Sequence, residues 1–537
     1  MLSLDLLYNP YHGQRSPLVA RQGVVATSQP LAAQAGLSML QRGGNAVDAA
    51  VATAIALTVV EPTSNGIGGD AFALVWDGDQ LHGLNGSGRA PQGLTRAAVE
   101  HAGHTALPSR GWLPVTVPGT PQTWQDLHSR WGRLPWATLF EPAITYAEQG
   151  YALSPVLAWN WHVATEVYRS FSEPCFRGWM PTFAPTGDAP QAGGLWRSPD
   201  HARTLRTLAE EGSTAFYTGK LAQEIVAFAQ ETGGLITAAD LAQHTSTRVD
   251  PINVNYCGYD VWEIPPNGQG LTALIALNLL DGLDLQRLPR DSVESYHLQI
   301  EAMKLAFVDA QRYIADPEHV SVPVAGLLSL RYAEERRALI SDKARLPEAG
   351  SPPEGGTVYL CAADRDGMMV SMIQSNYQGF GSGIVVPGTG IALHNRGLGF
   401  SMEPGHANEL QPGKRPYHTI IPSFLTKDNQ AIGPFGVMGG FMQPQGHVQM
   451  VVNTVTYGLN PQASLDAPRW QWLQALAIEI EQTAAPSLAQ GLLRRGHHVI
   501  IPPTGGSFGR GQIIWRMPNG TYVAGSDGRT DGCAVGW

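Results

Sequence analysis

The sequence predicts a layered α/β fold, and three observations carry that expectation. The first two thirds of the chain read mainly as helices, while the part after residue 357 reads as short strands separated by glycine turns. The segment 45–60 is apolar almost all round, so it must be a buried helix. The run Thr357-Val-Tyr-Leu-Cys-Ala-Ala is β-branched and aromatic without a polar alternation, as a strand covered on both faces would be. A sheet covered on both faces needs helices against it, which makes layers around one buried sheet.

The elements follow in order. Gly23–Thr27 reads as a strand and Pro30 to Arg42 as a helix closed by Gly43-Gly44. Asn45 or Asp48 would cap the buried helix that runs to Val60. Glu61 to Asp70 is a glycine-rich loop, and Ala71–Trp76 opens a hairpin. From about 100 to 345, helices are expected at 121–130, 139–149, 201–211, 218–231 and, most clearly, 291–314. Strands are expected at 368–374, 391–393, 418–425 and 431–438, then a helix at 445–456, a helix–strand pair and a last hairpin. There are no internal repeats.

Composition excludes several function classes. The 537 residues are 43% hydrophobic and 15% charged, as in ordinary globular proteins, and suffice for a large core without staples. Net charge is −10 with no basic stripe, which argues against nucleic acid as a partner. Four separated cysteines make no CxxC, and sixteen histidines show no metal-ligand spacing, so no metal or cofactor is expected. Cys361 lies inside the apolar strand and is expected in the core. The longest apolar run, 49–60, is too short to span a membrane, and the N-terminus lacks a basic n-region before its apolar stretch. A cytoplasmic location without membrane contact is the expectation.

The chemistry concentrates at Gly356-Thr357. A Pro/Gly-rich loop, 346–356, meets the buried strand there. A Thr behind an unshielded glycine carbonyl can attack the preceding peptide bond through its hydroxyl. Scission would free an α-amine, reference pKa about 7.7–8.0, to act as base for that hydroxyl, the threonine form of N-terminal nucleophilic catalysis. Gly439-Gly440 after a strand can aim backbone N–H groups at an oxyanion, or simply form a tight turn. Gly66–Asp70 has the same two readings. The loop Pro412 to Thr419 gathers cations and hydroxyls, and Asn395-Arg396 is a second candidate anion site. Gly505-Gly-Ser-Phe-Gly509 matches the serine-hydrolase elbow pattern, but two prolines precede it and a strand follows, so it reads as a hairpin loop.

Taken together, Gly43–Ala50, Glu61–Asp70, Val117–Pro121, the Thr357 junction, Pro412–Pro416, Gly439-Gly440, Ala467–Arg469 and Gly525–Arg529 give the chain a strong resemblance. It resembles the γ-glutamyltransferase family of N-terminal-nucleophile hydrolases along essentially its whole length. The resemblance implies a four-layer αββα sandwich. It also implies self-cleavage into a large chain, 1–356, and a small chain, 357–537, interlocked as one domain, and leaves open one such unit or a homodimer of them. Thr357 then matches the nucleophile, Asp364 the strand-end aspartate, Ser375 a second hydroxyl beside the nucleophile, and Gly439 and Gly440 the oxyanion hole.

The departures bear on substrate. Where the family has an arginine for the α-carboxylate of glutamate this chain has Ser87, with Arg89 nearby. Gly399 replaces the aspartate that holds the α-amine, and His418-Thr419 replace a serine pair. Arg396 stands where a neutral residue is usual. That pattern is similar to a cytoplasmic subgroup acting on oxamate, and implies hydrolysis of a small carboxylated amide: oxamate to oxalate and ammonia, in purine nitrogen salvage. The alternatives are a glutathione hydrolase or γ-glutamyl transpeptidase, an acylase for a larger amide such as a β-lactam side chain, and an unprocessed scaffold.

Overall fold

Two seven-stranded sheets, antiparallel throughout, fill the middle of the molecule. The protein is described by a computed structural model that covers residues 10–11, 15–347, 356–503 and 506–537. In one sheet the strands run in the order Cys533–Gly536, Gly23–Thr27, Gly356–Asp364, Met369–Tyr377, Asp70–Trp76, Leu81–Asn85 and Thr247–Val249. In the other they run Leu18–Ala20, Tyr522–Ser526, Arg510–Arg516, Gln430–Met438, Ser423–Lys427, Tyr259–Glu263 and Ile252–Tyr256. Both sheets mix strands from before and after residue 357, so neither part could form its sheet alone.

Side-chain alternation assigns the layers. Along Gly356–Asp364, Val358, Leu360 and Ala362 join a core with the helices Pro30–Gln41 and Ala46–Val60. Tyr359, Cys361 and Ala363 point the other way and meet Phe424, Ile514 and Ala524 of the second sheet. The far face of that sheet, through Phe435, Val437 and Trp515, packs on the helices Gly270–Asp281, Val293–Tyr313 and Met442–Val451. The result is helix, sheet, sheet, helix: four layers, where periodicity alone predicted one buried sheet. The second sheet escaped because its strands at 252–256 and 259–263 interrupt a stretch that reads as helical.

The apolar helix behaves as its sequence demands. Every residue of Ala46–Val60 is buried. Asn45 and Asp48 form a reciprocal capping box at its start, worth about 1 kcal/mol. Asp364, at the end of its strand, accepts a hydrogen bond from the Ala46 amide at 2.9 Å, which ties sheet to helix. Cys361 is in the core, and all four cysteines are free.

Three expected elements differ. Residues 391–393 form only isolated bridges, to Gly68 and Val385. The strand expected from 418 begins at Ser423, because the amide of His418 donates to Asn267 O and that of Ile421 to the Gln443 side chain. The helix expected at 445–456 starts at Met442 and finishes as a π-turn over Val452–Thr456. Ser507 lies in a short 3-10 turn before the strand Arg510–Arg516, so no strand-to-helix elbow exists there; Gly505 is outside the described residues. Among the described residues no helix is long and apolar enough to cross a membrane.

Candidate active site

Thr357 occupies a β-bulge. Gly356 pairs with Tyr377 and Val358 with Gln374, which leaves Thr357 facing two residues, Ser375 and Asn376. A bulge re-aims the side chain it carries. Here it brings Thr357 Oγ1 to 3.1 Å from Ser375 Oγ, both fully buried. Residues 348–355, the loop ahead of the expected scission between Gly356 and Thr357, lie outside the described residues.

Arg396 opens the short turn Arg396–Gly399 and reaches back to the same hydroxyl. Its Nη2 donates to Ser375 Oγ at 3.0 Å and its Nη1 to Thr419 Oγ1 at 2.7 Å. The guanidinium carbon stands 4.2 Å from the centre of the Tyr377 ring. Nε has no partner, and among the described residues no carboxylate forms an ion pair with this arginine. Burial lowers its pKa to about 10. A wholly buried cation bonded to hydroxyls and a ring, with the Asp70 carboxylate acting on it only from a distance, is costly unless a further anion joins it.

Asp70, at the end of the Gly66–Asp70 loop, lies behind this group. Its carboxylate accepts from the amides of Gly88 and Gly119, at 3.3 and 3.1 Å, and from His418 Nε2 at 3.0 Å. Burial raises its pKa to about 7, against the pull of Arg396. Burial also holds His418 well below its usual pKa and His394 down at about 3. The contact of Asp70 to His418 is therefore a hydrogen bond to a neutral imidazole, not an ion pair, while His394 Nε2, 3.5 Å from the carboxylate, has no hydrogen-bond partner among the described residues.

Gly439 and Gly440 follow the strand Gln430–Met438 with φ of 139° and 60°, the second left-handed. A Cβ on Gly439 would approach Gly509 Cα to 3.0 Å. Among the described residues neither amide N–H has an acceptor. Gln269 couples this turn to the arginine site, since its Nε2 donates both to Gly440 O at 2.8 Å and to Thr419 O at 2.5 Å. Gly439 also stands on the wall of a 460 Å³ cleft with Trp159, Val163, Phe441, Trp472 and Arg510. Thr357 is not on that wall; in the uncut chain it is sealed.

The structure thus gathers Thr357, Ser375, Arg396 and Thr419, with His418 one step behind through Asp70. It does not bring the remaining anion-site residues to Thr357. Arg89 is clamped by Glu318, with both oxygens within 2.8 Å of Nη2, and lies 3.5 Å from Asp316. Ser87 bonds Asn85 and Asn267, and Asn395 bonds Ser109 O and Gln378. The cations of the 412–419 loop serve the fold: Lys414 donates to the carbonyls of Ala407 and Glu409, and Arg415 to Ser87 O and Thr247. Asp70 as a partner of His418, Tyr377 and Gln269 are additions that spacing could not supply, since each depends on contacts between distant segments.

Fold and site together define an N-terminal-nucleophile hydrolase. Residues 32–537 match the family model described as Gamma-glutamyltranspeptidase. The chain belongs to that family, which is of the self-processing, amide-cleaving type. It is 35% identical to the glutathione hydrolase-like YwrD proenzyme of Bacillus subtilis, over 97% of this chain and 99% of the relative. It is 34% identical to the oxamate amidohydrolase proenzyme of Klebsiella pneumoniae, with the same coverage of both. Among solved structures it resembles cephalosporin acylase from Bacillus halodurans, at 55% identity and a TM-score of 0.95, over 100% of this chain and 99% of that one.

Proposed function

We propose that this protein cuts itself between Gly356 and Thr357 and then hydrolyses amides whose acyl part carries a carboxylate near the scissile carbonyl. The observation that carries this reading is Arg396: a buried guanidinium without a carboxylate partner, bonded to the hydroxyl that touches Thr357. A small anionic acyl group would complete it as a bidentate ligand.

The mechanism follows from the geometry. Thr357 Oγ1 attacks the Gly356 carbonyl, the acyl group passes from nitrogen to oxygen and so frees the α-amine, and water then hydrolyses the ester to the Gly356 carboxylate and the Thr357 hydroxyl. In the mature protein that amine takes the Oγ1 proton as the oxygen attacks the substrate carbonyl, while Ser375 orients the nucleophile. The Gly439 and Gly440 amides, free of protein acceptors, receive the oxyanion, each worth about 3 kcal/mol. The amine departs with the proton, and water frees the acid from the ester.

The cleft beside Gly439 decides the leaving group. Its aromatic and aliphatic wall suits an amine larger than ammonia, and Arg510 on that wall forms no ion pair among the described residues. The likeness to a cephalosporin acylase supports such an amine. Oxamate is the second reading, favoured by the amidohydrolase relative and by a carboxylate that would sit directly against Arg396. A γ-glutamyl group is disfavoured, because Gly399 offers nothing to its ammonium and Arg396 opposes that charge.

A panel of oxamate, N-oxalyl- and N-succinyl-p-nitroanilides and γ-glutamyl-p-nitroanilide tests the proposal. The carboxyacyl anilides should exceed the γ-glutamyl compound at least about 100-fold in kcat/KM, roughly 2.7 kcal/mol. Ammonia release from oxamate alone would select the second reading. Preference for the γ-glutamyl anilide would overturn both.

A further inference from the structure

Far from Thr357, the helix Val293–Tyr313 carries His297 and Glu301 one turn apart on one face. His497, in the turn between the helix Pro486–Arg494 and the strand His498–Ile500, comes down onto them. All three are buried. One ligand atom from each lies within 4.8 Å of the others: His297 Nδ1 is 2.8 Å from His497 Nε2, which is 3.9 Å from Glu301 Oε1.

The surroundings orient these groups as supports orient metal ligands. His297 Nε2 is 2.7 Å from Ser341 O, an acceptor only, so the proton sits on Nε2 and the Nδ1 lone pair faces His497. The Arg345 amide holds Glu301 Oε2 at 3.2 Å, while Oε1 faces His497 and accepts from Lys304 Nζ. His497 Nδ1 is buried with no partner. Moving the ring proton of His497 from Nε2 to that nitrogen would expose a second lone pair to the first, with no net proton release. A cleft of 500 Å³ lined by His297, Ser341 and Arg495 reaches the cluster from outside.

We propose that His297, Glu301 and His497 form a binding site for a divalent transition metal of the zinc class, with a fourth position open to water. Two imidazoles and a carboxylate are a zinc-type donor set. Ligand nitrogens on a tetrahedral ion stand about 3.3 Å apart, so the two rings separate by about half an ångström on binding. Lys304, 2.7 Å from Glu301 Oε1, stays as the carboxylate's outer partner and can lean toward Arg345 O, 3.4 Å away. If the chain is cut at 356/357 as proposed above, two ligands belong to the large chain and one to the small, so the ion would cross-link them.

Cobalt(II) titration of the full protein provides the test, with visible ligand-field absorption as the readout. One equivalent per chain should give an intense tetrahedral-type band, displaced by one equivalent of zinc and lost in His497→Gln. The uncut Thr357→Ala protein should bind equally, which separates this site from the cleavage reading. Cobalt-soaked crystals of the unaltered protein should show an anomalous peak between the three side chains. No band, a band that survives in His497→Gln, or a peak elsewhere overturns the site, and the crystal arm decides it even if the variant misfolds.

Discussion

Two buried arginine sites in this molecule differ in what neutralises them. At the C-terminal end, Arg469 donates to Asp527 at 2.6 Å, and Arg529 forks onto Glu481 at 2.5 and 2.6 Å while also reaching Asp527 at 3.1 Å. The Gly511 amide and the carbonyls of Phe508 and Gly509 complete the network. Burial alone would raise the Asp527 carboxyl, but Arg469 and Arg529 outweigh it and hold the pKa at about 2. Arg396 is as deeply buried and has hydroxyls, a ring and an idle Nε. A closed network is structural; the open one is where the proposed acyl carboxylate would sit. Arg469 and Arg529 belong to motifs of the family, whereas Arg396 stands outside them.

The comparison can be broken in stages. Asp527→Ala leaves the buried Arg469 without its carboxylate and should cost about 3–5 kcal/mol of stability, read by denaturant unfolding. Arg396→Met removes a buried charge that has no ion-pair partner and should leave stability within about 1 kcal/mol of the parent, or raise it. The same change should lower kcat/KM for carboxylated amides about 100-fold, mainly through KM. Loss of stability without loss of activity would make Arg396 structural after all.

Acid gives the smallest effect. Asp527 has a folded pKa below its unfolded value, so its contribution is present above about pH 4 and is lost as pH falls toward 2. Unfolding midpoints measured across that window should fall in the parent protein and fall less in Asp527→Asn.

What the sequence disclosed depends on how far apart the partners are. Thr357 was legible at its loop–strand junction and Ser375 through the resemblance, and the two lie on adjacent strands of one hairpin. Asp70 with His418 joins residues 348 apart, and Gln269 reaches Thr419 across 150. Nothing local signals such pairs. Arg89 shows the converse: nearness to Ser87 along the chain suggested a shared site, but the side chain turns to Glu318 instead. The second sheet was hidden for a related reason, since its edge hairpin at 252–263 is embedded among helices and shows its role only once paired with Ser423–Lys427. The histidines show no metal-ligand spacing in the sequence, because His297 pairs with a carboxylate on its helix and the third member of that cluster lies near the other end of the chain.

Intact-mass analysis of purified protein, with N-terminal sequencing, tests the central claim most directly. The account predicts two chains, the smaller starting at Thr357, and a single inactive chain for Thr357→Ala. A fully active protein whose 356–357 bond is whole would contradict it.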